Sequence, residues 1–575
     1  MSPGAPAAAG AAPRPGPGSV VLGLAGLTLA ARLVGFARSV VFSKTIGDTC
    51  LGDAYNAANS LPTILFEVVA GGVLAGVVVP VVARHVAAGR RAETARTVSA
   101  LVTWTLLVLT PAALLALLGA PLYGRVFASP GCAGSAGTVA ALLLAFAPQV
   151  WLYGLAVVSA GVLQAHGRFL AAALAPLLSS LVVVTAYLGY AALAPAPSTA
   201  GRGAVAPLTG TSLAVLGGGT TLGVLALATC TLLPLGRLGL ALRPRLRFAP
   251  GDRAVVTRIA AAGVVGLVLQ QLSVLLVSWS AQRTGDPGAL TRSTWAGAVY
   301  LLPYAVLVAP LLQLAFPRLS AAAEQAGQGE QAGQRGQGSH PGPAGPAAAE
   351  RSRLAVREVL ARTAPTVVAL AWLGAALLVA TAVPVARVFV LGPGSGRTAA
   401  LALPIVGFAP AVVGFALLGL ASRALLAEHR ATDAGLTTAT GWAVVIVAVA
   451  LLRLVVPGPA LVPVMAGAVS LGMAAGAAVG WTRLHRSGDA PLGLLRPLLT
   501  AGTAAVVAAA LCWWPAGRLA GVGLVAALAG GLGLALVATG VFVAVLALLD
   551  RPLLTSLRRL REPTDPTAQV PRADR

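Results

Sequence analysis

Acidic side chains are scarce in this chain. Seventeen Asp and Glu stand against 40 Lys and Arg, and charged residues of both signs fill only 10% of 575 positions, where a soluble domain carries about 25%. So little charge excludes an ordinary soluble enzyme. Histidine is rarer still: His85, His166, His340, His429 and His485 are all there is, and no Ser/His/Asp grouping, phosphate loop or paired acidic motif surrounds them, so no catalytic role is expected. The four cysteines, Cys50, Cys132, Cys230 and Cys512, have neither CxxC nor Cys/His spacing, which removes zinc and dithiol redox chemistry. No metal and no cofactor are expected.

What the chain has instead is apolar length: 57% hydrophobic residues and a mean hydropathy of +0.86. Runs of about 20 such residues, separated by Arg, Pro or Gly clusters, read as membrane spans. We place fourteen, at 20–42, 57–82, 98–119, 138–163, 170–194, 212–235, 257–280, 294–316, 364–390, 399–426, 434–456, 460–482, 496–515 and 520–549. The fold class is thus an all-α polytopic membrane protein. An even count puts both termini on one side, and most of the Arg and Lys fall there, in Arg84 to Arg96, Arg237 to Arg258, Arg318 to Arg362 and the tail from Arg551. That bias marks cytoplasmic loops, so the expectation is a plasma-membrane protein with both ends cytoplasmic. Orientation then explains the formal charge of +23, with attraction to anionic membrane lipids as a secondary effect. No aromatic-interleaved basic module accompanies it, and no nucleic-acid partner is expected.

Along the chain, 1–18 is nearly all Ala, Gly, Pro and Ser and reads as a disordered tail. A cleaved leader is the rival, but Arg32 interrupts the apolar run that follows Arg14, which favours a retained first helix. Spans one to six (19–250) and seven to twelve (251–490) form two lobes of similar length, as in transporters built from two bundles. The second lobe holds a Gln/Gly/Pro-rich stretch, 322–353, expected to be a disordered cytoplasmic loop; spans thirteen and fourteen (491–549) are appended, and 550–575 is a tail.

Charges inside the spans are the features with functional content. Arg32 and Arg38 lie in the first span and Glu67 in the second, where a bare ion costs several kcal/mol unless paired or facing water. Counted from the outer helix ends, Arg32 and Glu67 each sit about eleven residues in, roughly 16 Å, near the midplane of a ~30 Å core. An Arg32–Glu67 pair is expected. Two readings stay open: a purely structural pair, or cations lining a hydrated cavity that takes an anionic substrate. Gln270, Gln271 and Gln313 are cavity candidates, with interhelical glue as the alternative that also suits Gln149, Gln164 and Ser273. Cys50 and Cys132 fall in loops on the outer side, where the environment can oxidise; a disulfide and two unpaired thiols are both open.

Ordered motifs carry a family resemblance. Ala31-Arg32-Leu33-Val34-Gly35-Phe36-Ala37-Arg38, Gly52-Asp53-Ala54-Tyr55, Leu61-Pro62 and Gly71-Gly72-Val73-Leu74, then Gln164-Ala165-His166-Gly167-Arg168-Phe169, Leu302-Pro303-Tyr304 and Phe316-Pro317-Arg318-Leu319-Ser320, together resemble the MurJ/MviN family of lipid II flippases. The resemblance covers spans one to ten by scattered motifs. It implies two six-helix lobes around a cationic cavity, alternating access, and outward movement of a polyprenyl-pyrophosphate-linked glycan. It also implies that Arg32 and Arg38 bind the pyrophosphate, whose oxygens suit the planar guanidinium fork, and that Asp53 closes an outer gate through Arg38. Where many relatives carry a further arginine in span eight, this chain has Ala296-Gly297-Ala298-Val299-Tyr300, and span seven has no acidic residue for a sodium site. Membrane potential or an ion gradient is the expected energy source. Two rivals remain: an exporter of another polyprenyl-linked glycan or a drug, and a non-transporting scaffold that recruits cell-wall synthases.

Overall fold

The computed structural model describes residues 17–68, 75–193, 203–205, 208–249, 252–334, 346–394, 396–428, 430–486, 488 and 493–559. Every regular element among them is helical. Lobe one contains α1 (Pro17–Thr45), α2 (Cys50–Glu67), α3 (Ala75–Ala87), α4 (Arg91–Leu118), α5 (Ala120–Val126), α6 (Ser135–Phe146), α7 (Gln149–Ala165), α8 (Phe169–Leu193), α9 (Gly210–Leu213) and α10 (Gly219–Gly236). Lobe two contains α11 (Asp252–Gln282), α12 (Ala289–Pro303), α13 (Ala309–Gln334), α14 (Pro346–Val390), α15 (Thr398–Ala427), α16 (Ala431–Val455) and α17 (Leu461–Arg486). After them come α18 (Leu495–Gly517), α19 (Leu524–Leu549) and the short α20 (Arg551–Arg559).

Among the described residues twelve helical runs are long and apolar enough to cross a membrane, against fourteen expected. The two outside that dozen are the first, which coincides with α1, and the second, which falls on α2 and α3. Residues 69–74 between those helices lie outside the described set. α3 has 13 residues, too few to cross a ~30 Å core alone. Prolines explain the joints: Pro303 ends α12 and a π-helical turn, Tyr304–Val308, carries the chain on into α13, because proline leaves a carbonyl without its usual donor.

The loop expected over 322–353 requires correction at both ends. α13 continues to Gln334 and α14 already begins at Pro346. Ala321, Ala322, Ala323 and Glu324, and again Ala347, Ala348, Ala349 and Glu350, are strong helix formers that extend helices begun in the apolar runs, and proline suits a first helical position. The middle of that stretch, 335–345, lies outside the described residues, as do 1–16 of the expected tail and 560–575 of the other. Residues 551–559 are helical, with Leu553 buried against the core.

Lobe one is built on α8, which packs against α1 and α10, while α2 packs on α6 and α7 on α3, α4 and α10. Lobe two is built on α14 and α15: 67% and 72% of their best apolar windows are buried, against 17% for α19. α18 and α19 lean on α14, so the appended pair belongs to the second lobe. Small residues let α15, α16 and α17 approach closely, the usual device where lipid offers no hydrophobic drive. A Cβ on Gly476 would stand 2.6 Å from Leu418 Cδ1 and 3.0 Å from the Thr437 carbonyl oxygen.

The helix ends define two faces. One carries Cys50 and Cys132, joined as a disulfide across 82 positions of sequence, together with the turns α1–α2, α11–α12 and α14–α15. The other carries the turns α3–α4, α7–α8 and α15–α16 and the segment after α10, with Arg84, Arg90, Arg91, Arg168, Arg237 and Arg430.

Candidate functional site

The lobes meet at the disulfide face through buried polar groups. Asp53, in the first turn of α2, is 1% exposed. Its Oδ2 accepts from the Gly288 amide at 2.8 Å, and its Oδ1 accepts from the Thr291 amide and Thr291 Oγ1, each at 2.9 Å. Those amides are donors that the start of α12 leaves without helical partners, so a carboxylate of lobe one caps a helix of lobe two. Gly288 precedes α12 at φ 82, a left-handed conformation that glycine adopts without strain. Burial pushes the Asp53 carboxyl up to about 6 against the opposing pull of Thr291, Arg292 and Gly288. Asn56 adds a bond from Nδ2 to Thr291 Oγ1 at 3.1 Å, and Gln282 Nε2 donates to the Phe127 carbonyl at 3.0 Å.

A second connection runs through Arg292, 2% exposed. Its Nη1 donates to Asp48 Oδ2 at 2.6 Å and to the Pro287 carbonyl at 3.1 Å, and its Nη2 pairs with Asp286, which also binds Arg397. Buried charges of this kind need their partners, since removing one leaves the other unpaired. Beside it the turns touch backbone to backbone. Asp48 N donates to the Pro393 carbonyl at 3.1 Å, and a Cβ on Gly47 would lie 1.7 Å from that oxygen. Gly47 therefore has two reasons to be glycine, its φ of 73 and this contact.

The charges singled out in the spans are arranged differently from expectation. Arg32 and Glu67 are exposed, and among the described residues they form no ion pair with each other. Adjacency in sequence brings α1 and α2 together only near their outer ends, at Phe42 and Tyr55, while α1 packs along α8 and α2 along α6. Asp53 likewise engages α12, not Arg38, because the open amides of a helix start lie nearer than a side chain deeper in the bundle. Arg38 is half-buried and within electrostatic range of Tyr55, Tyr153 and Tyr187, on α2, α7 and α8. Glu67 also acts on Tyr153, whose ring packs 4.5 Å from that of Phe66. Tyr55, Tyr187 and Thr220 join through hydroxyl bonds of 2.9 and 3.0 Å. Arg38, Tyr153 and Glu67 thus mark a polar strip on lobe one, with Arg32 on the same helix as Arg38.

Of the glutamines, Gln271 on α11 is buried, its neighbour Gln270 is half-buried, and Gln313 is exposed on α13. α11 packs on α16, α3, α12 and α2, whereas α13 packs on α14 and α15, so their helices rest on different partners. Gln149 acts between helices, its Nε2 donating to Thr221 Oγ1 at 3.0 Å. The sequence singles out none of Asp48, Asp286 and Arg292, which fall between the apolar runs. The signal was an Asp-Pro-Gly turn at 286–288 followed by an arginine at the head of an apolar run. Sequence reading also gave His85 no role, yet His85 is 2% exposed and meets Glu93 at 3.0 Å and Asp252 at 2.8 Å.

A family model described as lipid II flippase MurJ matches residues 42–529. The chain belongs to the MurJ family. Among MurJ relatives, a probable lipid II flippase of Rhizobium meliloti (strain 1021) is 29% identical over 308 residues, 52% of this chain and 54% of that protein. One of Rhizobium tropici is 28% identical over 291 residues, 49% and 51% of the two chains. The matched stretch spans about half the length of each relative. Among solved structures, a lipid II flippase MurJ in an inward closed conformation gives a TM-score of 0.66 at 15% identity, over 91% of this chain and 99% of that one. An inward-facing multidrug resistance MATE family transporter of the MOP superfamily gives 0.56 at 15%, over 80% and 95%. At that identity the likeness is one of fold. The MurJ match begins at Phe42, so Asp48, Asp53, Glu67 and Arg292 lie inside it, while Arg32 and Arg38 precede it.

Proposed function

We propose that this protein moves a polyprenyl-pyrophosphate-linked glycan, most specifically the peptidoglycan precursor lipid II, from the inner to the outer leaflet by alternating access. The observation that carries the reading is the cross-lobe latch within the family-matched stretch, Asp53 capping α12 and Arg292 holding Asp48. A latch of hydrogen bonds at one face, with the lobes also joined at the other through Asp252 of α11 and Arg84 and His85 of α3, can open without disturbing either core. Its two states differ in which face is sealed, and a ligand that binds them unequally shifts their populations. The disulfide face is assigned outside, and the arginine-rich face and both termini to the cytoplasm, by the positive-inside rule.

In this arrangement Arg38, with Arg32 along the same helix, presents guanidinium to the pyrophosphate, and a membrane potential or ion gradient drives the return. A unit charge crossing 100 mV gains about 2.3 kcal/mol. No covalent step is involved. The test is complementation of a flippase-depleted strain, with lipid II on the outer leaflet measured directly. Wild-type chain restores growth and exposure, and Arg38→Ala abolishes both at unchanged abundance. Full complementation by Arg38→Ala sinks the capture role. Unchanged lipid II exposure on depletion, with mislocalised synthases, supports a scaffold instead.

A further inference from the structure

The arginine-rich face of lobe one holds a cavity of about 480 Å³ that the latch and the strip do not use. Its walls come from turns far apart in sequence: His85, Arg90 and Arg91 from α3–α4, His166 and Arg168 from α7–α8, and Arg237 at the end of α10. The carboxylates beside it are already occupied. Glu93 binds Arg90 at 2.9 Å and His85 at 3.0 Å, and Asp252 binds Arg84, His85 Nε2 at 2.8 Å and Thr97 Oγ1 at 2.6 Å. Among the described residues no carboxylate lies within ion-pair distance of Arg91, Arg168 or Arg237.

Lobe two supplies an internal comparison. Its α15–α16 turn and the end of α17 occupy the same places in its span order, and the spacing Ala165-His166-Gly167-Arg168 returns as Ala427-Glu428-His429-Arg430. A cavity of about 440 Å³ is found there too, lined by Arg430, Arg483 and Arg486. In that cavity the protein supplies its own anions: Arg430 pairs with Asp433 at 2.9 Å and Glu428 at 3.2 Å, and Arg483 pairs with Asp433. A basic cup therefore occurs twice: two carboxylates meet two of its three arginines in lobe two, whereas Arg91, Arg168 and Arg237 in lobe one have no carboxylate within ion-pair distance among the described residues.

We propose that the cup on lobe one binds the phosphate of an anionic phospholipid headgroup, with Arg91, Arg168 and Arg237 as its ligands. Guanidinium forks suit phosphate oxygens, and basic pockets between span ends on the cytoplasmic side favour anionic headgroups. Height and rim select a lipid over free phosphate. α3, α4, α7, α8 and α10 all begin or end at the cup, which places it at the headgroup level of the bilayer. Phe169 and Leu170, next to Arg168, are 47% and 65% exposed where acyl chains would lie, and Leu238 and Leu240 line the cup itself.

The test uses the full-length protein in phosphatidylcholine nanodiscs with and without dioleoylphosphatidylglycerol, and counts retained lipid by native mass spectrometry. Phosphatidylglycerol is expected to be retained in preference to phosphatidylcholine, and the double variant Arg168→Gln/Arg237→Gln to bind it about tenfold more weakly or worse. Arg362→Gln, an exposed arginine of the same face outside the cup, leaves retention unchanged. If the double variant loses its wild-type melting transition, Arg91→Gln is read in its place and is expected to show a loss of about threefold. Retention without headgroup preference, or undiminished in a folded cup variant, overturns the proposal. Displacement of the lipid by inorganic phosphate or glycerol 3-phosphate at matched concentration overturns the lipid assignment.

Discussion

Asp53 does the work of a helix cap across an interface, which makes its side chain one of several links that hold the two lobes together. With the latch closed its carboxyl titrates at about 6, while a carboxyl released to water returns towards 3.8. The closed state therefore binds the proton more tightly. This group's contribution to closure is full below 3.8 and is lost as pH rises through about 6. Double electron–electron resonance between labels on the two lobes at the disulfide face should show a larger closed population at pH 5 than at pH 7.5, and Asp53→Asn should remove the difference. A pH dependence that persists in Asp53→Asn would assign it to another group. The acidic position at the head of the second helix was legible in the sequence; its partner was not. Cap acceptors are visible in a sequence when they precede their own helix, whereas Asp53 caps one that begins 236 positions later, at Ala289. Arg292 was illegible for a related reason: its two carboxylates, Asp48 and Asp286, come from different turns.

At the scale of elements, apolar runs located the helices well because length and hydropathy decide where a chain can cross a bilayer. They could not say which helices touch. Spans one and two meet at their outer ends, where the Phe42 and Tyr55 rings lie 5.2 Å apart, but α1 packs along α8 and α2 along α6, and among the described residues Arg32 and Glu67 form no ion pair. Helix ends were also harder to read, since α13 and α14 run past their apolar segments through stretches rich in alanine with glutamate, glutamine or arginine. Packing within lobe two rests on close glycine contacts. Gly472 faces Val445 Cγ2 at 2.3 Å and the Gly441 carbonyl oxygen at 2.6 Å from where its Cβ would stand, so Gly472→Val should lower stability by about 1–3 kcal/mol. A falling melting temperature in detergent would register it. Gly467→Val, with open space at that position, should change the melting temperature little, and equal effects from the two variants would remove the packing argument.

The whole molecule carries two faces of opposite character, and the positive-inside rule turns them into a testable orientation. In spheroplasts lacking Cys230 and Cys512, a cysteine placed at Pro457 should react with a membrane-impermeant maleimide from outside. One placed at Arg362 should react only after permeabilisation. The reverse pattern would invert the assignment. Two lobes were foreseeable from the spacing of spans, but which face they share was not, because closure depends on turns whose glycines and carboxylates look like ordinary loop residues.

α14 has 45 residues, a contour of about 68 Å at 1.5 Å per residue, against the ~40–45 Å of a bilayer with its headgroups. Set upright in such a bilayer, α14 would leave several turns beyond the headgroups as a stalk rooted in one of the most enclosed helices of lobe two. Under the proposed alternating access, a tilt of that lobe swings the start of the stalk through a wider arc than the helices within the bilayer, and a fluorophore or an antibody fragment placed there would follow it.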